Sequence, residues 1–151
     1  MPGWLPADPA QVPAVITAKN FLLAFLYAEY RGNRDGRWAA YVSGTVKKGL
    51  GETLTQPDIT TQSFRGTVVF SQMNAFADPA VPGGLVVSEC FDNSRVTNTS
   101  LASGKAVPDT TPPDQHFYRN TDVLAPDASG RWHVVSVYPV IYYPQAKECK
   151  S

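Results

Sequence analysis

Apolar residues recur at helical spacing through the first third of the chain and at alternate positions through most of the remainder. Val12, Val15, Ile16, Lys19, Leu22, Leu23, Leu26 and Tyr30 fall three or four apart. They predict a helix whose broad face, widened by Phe21 and Phe25, turns toward a core. Asp8 is placed to cap its start with Pro9 in the first turn, and Gly32 to stop it. Asn33-Arg34-Asp35-Gly36 reads as a turn. Arg37 to Ser43 reads as a short second helix turning Trp38, Tyr41 and Val42 inward, and Val46 to Leu54 as a third, weakened by Gly49 and Gly51.

From residue 61 the period becomes two, and β-branched and aromatic residues take over. Strands are expected over Phe64 to Met73, Gly84 to Val96, Gln115 to Leu124 and Arg131 to Tyr143. The short Asp127-Ala128-Ser129-Gly130 segment predicts an antiparallel hairpin between the last two. Pro139 and Pro144 bend or end the final strand. Asn93 to Lys105 reads as a polar, solvent-facing hairpin tip. The thirteen prolines cluster in connecting segments near residues 2–13, 79–82 and 108–113.

At 151 residues the chain is the size of one domain, residues 1–151, able to bury roughly 70% of its unfolded surface. Thirteen basic residues balance thirteen acidic ones, so no global field draws in a polyanion, and nucleic acid is not an expected partner. The longest uninterrupted apolar run, Phe21 to Ala28, is eight residues against the roughly 20 of a bilayer span, so no membrane crossing is expected. Met1-Pro2-Gly3-Trp4 lacks the basic and apolar segments of a secretory leader.

Only Cys90 and Cys149 are present. They read either as a staple holding a polar C-terminal tail or as two unrelated thiols, one buried and one on a frayed end. The staple is favoured, and it implies an oxidising compartment. Cys90, His116, His133 and Cys149 have none of the usual zinc spacings, so no metal and no cofactor is expected.

Helices followed by long antiparallel strands resemble the cone-shaped nuclear-transport-factor-2-like superfamily, and more closely its small exported actinobacterial members. The resemblance rests on Val86-Val87-Ser88-Glu89-Cys90-Phe91-Asp92-Asn93-Ser94 and on Gly130-Arg131-Trp132-His133-Val134-Val135, which are similar to the C-x-D-x-S and G-x-W-x-V strands of those proteins. A cysteine near the C-terminus, here Cys149, also recurs in them. The resemblance spans roughly residues 10–150 and implies an α+β fold, N-terminal helices packed on a strongly curved antiparallel sheet. It includes enzymes, ligand binders and scaffold subunits on one frame, so it leaves the activity open.

An isomerase on this frame needs a carboxylate base and a hydroxyl donor inside the cone. Asp92 is the candidate base, with Tyr118 or Tyr138 as donor, if the face carrying Val86, Ser88, Cys90 and Asp92 turns inward. The competing and favoured reading of Asp92-Asn93-Ser94 is a strand end whose side chains bond local backbone. His133, with no acidic neighbour in sequence, reads as a sheet-face residue, and His116 as a loop end. Tyr27, Trp38, Tyr41, Phe64 and Trp132 are candidates to line a pocket for a small apolar ligand, or to fill the core. Arg65, Arg95, Arg119 and Arg131 read as solvated strand positions.

The sequence therefore favours a non-catalytic binding or assembly domain that meets a protein partner or an apolar small molecule. It is expected outside the cytoplasm, secreted or envelope-associated, with the cytoplasm as the alternative in the absence of a leader. The superfamily resemblance implies a homodimer. The alternative function is a small isomerase or dehydratase with Asp92 as base.

Overall fold

A computed structural model describes residue 6 and residues 8–149. Asp8 accepts a hydrogen bond from the Ala10 backbone at 2.9 Å and starts a 3-10 turn over Pro9–Gln11 that runs into α1, Val12–Tyr30. Gly32 and Asn33 both take positive φ, and their amides close back on Glu29 and Ala28. That left-handed pair ends the helix where the glycine predicted. A 3-10 segment, Arg37–Tyr41, takes the place of the expected second helix. It is followed by α2, Gly44–Thr53, and by one turn, α3, Pro57–Thr60.

The sheet is open, six-stranded and antiparallel. Its strands are β1, Gln62–Ala77; β2, Leu85–Ser100; β3, Ala106–Val107; β4, Phe117–Pro126; β5, Trp132–Val137; and β6, Ile141–Tyr143. β1-β2-β4-β5 lie side by side, with β3 paired to β2 and β6 to β4. The predicted β4–β5 hairpin is present. The single final strand is two, because the segment holding Pro139 breaks the ladder between Val137 and Ile141. β2 runs past Val96 to Ser100, so much of the expected polar tip is paired strand and the turn shrinks to residues 101–105.

α1 lies across the inner face of the sheet. Its buried residues are Ala14, Val15, Ala18, Phe21, Leu22 and Ala28. They meet Val87 and Phe91 of β2, Leu124 of β4 and Val134 of β5 in the core, with Trp38 and Leu54. The three alanines let backbone approach backbone. The expected single stripe is in fact two: Ile16, Leu23 and Tyr30 from it, with Tyr27, remain 40–47% exposed. Apolar on both sides, the 22-residue helical stretch Pro9–Tyr30 contains an 18-residue window with a mean hydropathy of 1.3. By length and composition alone that is enough to cross a bilayer, which a count of uninterrupted apolar residues did not register. Within the fold its inner side belongs to the core.

Candidate functional site

Alternation along β2 and β4 puts two sets of side chains on the concave face. Val87, Glu89 and Phe91 of β2 stand opposite Asp122, Asn120 and Tyr118 of β4. The Phe91 and Tyr118 rings stack at 4.9 Å, and Asn120 Nδ2 donates to Glu89 Oε1 at 2.7 Å. Glu89 and Asp122 are completely buried, yet Glu89 Oε2 and both carboxylate oxygens of Asp122 have no hydrogen-bond partner. Ionising either would strand charge in an apolar medium, and ionising both would add repulsion across the diagonal of the ladder. Burial therefore raises the pKa of both, and the Asp122 charge raises Glu89 further; the Asn120 amide opposes the rise at each. Asp122 is pushed up to about 7.

Two further groups share this electrostatic neighbourhood. Glu29, on the last turn of α1, is pushed up to about 7 by burial and then by the nearby Asp58 carboxylate. The Tyr118 hydroxyl, raised mainly by burial, lies 3.4 Å from Asn93 Nδ2. The inner face thus holds carboxyl groups that stay protonated well above the ordinary range. A β-bulge sits directly across from them. Ser71 pairs with Cys90 and Asn74 with Ser88, so Gln72 and Met73 together oppose Glu89, and Gln72 takes φ 53°.

Asp92 stands on the other face, with Val86, Ser88 and Cys90. Its Oδ1 accepts from the Ser94 amide at 2.9 Å and from the Ser94 hydroxyl, where a second bulge puts an extra residue into β2. This is the local backbone role. Asp92 pairs in register with Phe117, one position away from Tyr118, so the sheet separates these two side chains rather than joining them. Tyr138 is 48% exposed beyond the end of β5.

Cys90 and Cys149 are bonded, their Cα atoms 5.9 Å apart. The bond draws the C-terminal turn, Ala146–Glu148, over the outer face of β2 at Cys90, on a strand whose two faces are both buried from Leu85 to Phe91. His133 does have an acidic partner. Its Nε2 lies 3.0 Å from Asp127 Oδ2, while Asp127 Oδ1 accepts from Ser129 and the Arg131 amide. The hairpin brings together residues six apart, a contact that adjacency in sequence could not reveal. His116 lies 3.6 Å from Asp109 beside a polar crevice of about 140 Å³.

Open apolar volume lies elsewhere. A crevice of about 270 Å³ is lined by Lys19, Leu22 and Leu23 of α1 and by residues 70–73 of β1. A second, about 280 Å³, is lined by Leu23, Leu26, Tyr27, Tyr30, Phe64 and Val68. Of the aromatic pocket candidates, Tyr27 and Phe64 line the second crevice. Trp38 is a buried core residue in edge contact with Phe25, and Tyr41 and Trp132 pack against the same core. Neither apolar crevice includes Glu89 or Asp122. Among the described residues no cluster of His, Cys, Asp and Glu could hold a metal ion.

The sequence pattern contained one signal for the inner site. Glu89 interrupts an apolar face between Val87 and Phe91, and Asn120 and Asp122 interrupt another between Tyr118 and Leu124. Polar residues so placed either face water or meet each other inside.

No protein-family model matches this chain, and no curated protein matches it by sequence. Solved structures do. ActVI-ORFA from Streptomyces coelicolor is 12% identical with a TM-score of 0.53, over 89% of this chain and 98% of that one. A ketosteroid isomerase-like protein from Erwinia carotovora atroseptica is 16% identical with a TM-score of 0.51, over 87% and 99%. A protein from Catenulispora acidiphila is 12% identical with a TM-score of 0.54, over 89% and 95%. At these identities the likeness establishes the fold alone: the cone-shaped α+β architecture, helices packed on an antiparallel sheet, that the sequence resemblance implied.

Proposed function

We propose that this chain is a non-catalytic, extracytoplasmic binding domain that takes a small apolar ligand. The observation that carries this is the separation of chemistry from space. The carboxyl pair most disposed to acid–base work, Glu89 and Asp122, is fully buried, whereas the open apolar volume has no carboxylate or imidazole among its described lining residues. A general base must come within hydrogen-bond reach of the proton it takes, and these two face only packed protein. The Cys90–Cys149 bond supports a location in an oxidising compartment.

Titration of the oxidised chain with an environment-sensitive apolar dye, 1-anilinonaphthalene-8-sulfonate, tests the reading. Saturable binding at one site in the folded state is expected. Absence of binding would remove it. The isomerase or dehydratase alternative is favoured by the raised carboxyl pKa values beside Tyr118, and it requires the cone to open to Glu89 or Asp122. Hydrogen exchange distinguishes the two: slow exchange of the β2 and β4 amides around residues 89 and 122, at the rate of global unfolding, excludes that opening.

A further inference from the structure

We infer that the crevice of about 270 Å³ between α1 and β1 binds a neutral, single-ring alkylphenol with its hydroxyl against Gln72. This rests on the ligand-binding reading and gives that ligand a chemical class and a size. The size follows from the volume. A dry cavity of about 150 Å³ lined by aliphatic and aromatic side chains holds benzene, so at the same density about 270 Å³ takes about eleven non-hydrogen atoms, and a four-ring skeleton of about twenty does not fit. One ring carrying a few alkyl carbons fills the space.

Neutrality follows from the lining. Leu22 and Leu23 of α1 and Phe70 and Met73 of β1 supply apolar walls. Lys19 is the one charged side chain among the described lining residues, and it already has an interaction partner of its own. An ionised ligand would have to displace that partner or leave its charge against apolar walls, and a neutral one does neither. Phe70 and the Met73 thioether favour an aromatic ring over a saturated one, through ring and sulfur contacts. The hydroxyl is placed by Gln72. Two described residues other than glycine take positive φ, and of these Asn33 ends a helix while Gln72 lies inside a strand. The β-bulge opposite Glu89 holds it at φ 53°, a conformation that a residue with a side chain adopts at a cost. Bulges re-aim side chains in this way, and Gln72 is both exposed and part of the crevice lining. Its carboxamide donates and accepts, as a phenolic hydroxyl requires. β1 pairs only with β2, so no neighbouring strand covers this side.

The test is calorimetric titration of the oxidised chain with phenol, thymol, p-cymene and estradiol, with displacement of the dye as a second readout. Thymol should bind one per chain, at least about tenfold more tightly than phenol, because its alkyl carbons fill the rest of the crevice. Estradiol, a phenol fused to further rings, should bind no more tightly than thymol. Gln72→Gly suits the positive φ and removes the carboxamide. It should weaken thymol about three- to fivefold and leave p-cymene, the same skeleton without the hydroxyl, unchanged. Leu23→Trp, at a position 47% exposed and so tolerated by the fold, should fill the crevice and abolish thymol binding. Tyr27→Ala, which alters only the second crevice, should leave it intact. Dye binding that thymol does not displace would overturn this inference and leave the ligand-binding reading standing, and binding of neither would overturn both. Thymol binding lost in Tyr27→Ala, or indifferent to Leu23→Trp or to Gln72→Gly, would overturn the assigned site. Estradiol binding about tenfold tighter than thymol would show a larger site and overturn the inference as well.

Discussion

Replacing Asp122 by asparagine exchanges an ionisable group for a neutral one of nearly the same shape at a completely buried position. Neither oxygen of Asp122 accepts a well-formed hydrogen bond, the Asn120 amide that eases its charge would still face the carboxamide oxygen, and the introduced amide nitrogen would be a donor on a diagonal from the unpartnered Oε2 of Glu89. In the unfolded chain Asp122 ionises at its ordinary value, 3.8; in the folded chain burial holds the proton on until about 7. Between those values the native state binds more protons than the unfolded state, so stability falls as pH rises and levels off above about 7. Three units at about 1.4 kcal/mol each set an upper bound of about 4 kcal/mol for the cost of charge at this site in mildly alkaline solution. Relaxation and water entry reduce such costs, and Glu89 shares the proton, which leaves about 2 kcal/mol. Asp122→Asn should accordingly stabilise the protein by about that much near pH 8 and change it little near pH 5. Guanidinium unfolding of oxidised wild type and variant at the two pH values, with matched slopes, reads this directly. Parallel pH profiles, or a variant less stable near pH 8, would show that Asp122 is not a sealed carboxyl and would refute the reading of the inner face.

Two other perturbations follow from local geometry. Reducing Cys90–Cys149 opens a loop of 59 residues, and chain entropy puts the loss at about 4 kcal/mol; thermal unfolding with and without reductant measures it, and a change below about 1 kcal/mol would mean the tail is held by its contacts alone. Gly66 takes φ +108° in β1, where an added Cβ would lie 1.9 Å from the Arg95 carbonyl oxygen. Gly66→Ala should cost at least about 3 kcal/mol by pushing β1 off β2, and a loss under about 1 kcal/mol in the same unfolding assay would exclude that contact.

The helices and the long strands were legible because each rests on local periodicity and stop residues: Asp8 and Gly32 bound the first helix, and Asp127 to Gly130 the β4–β5 turn. What was not legible depended on partners distant in sequence. The stripe on α1 joined two faces, since Ile16, Leu23 and Tyr30 are as apolar as Val15 and Leu22; only the position of the sheet tells which set the core takes. β3, two residues long, exists because β2 offers it an edge at Asn98 and Thr99. The partnership of Asp127 and His133 needs the hairpin closed before it can be seen.

The inner site turned on parity in β2. Asp92 and Glu89 are three positions apart, so no regular strand puts both inside. β2 alone cannot decide between them, because from Leu85 to Phe91 both of its faces are buried. Two expectations drawn from the sequence were in fact incompatible. Cys90 and Asp92 share a face, and a C-terminal staple on Cys90 must cover that face. The concave side is already occupied by α1, whose Phe21 and Leu22 pack in the core with Val87 and Phe91. The tail can close only on the convex side, which puts Cys90 and Asp92 outside and forces Glu89 in. A carboxyl group with no cation opposite it then meets Asn120 and Asp122, and stays in the fold by keeping its proton.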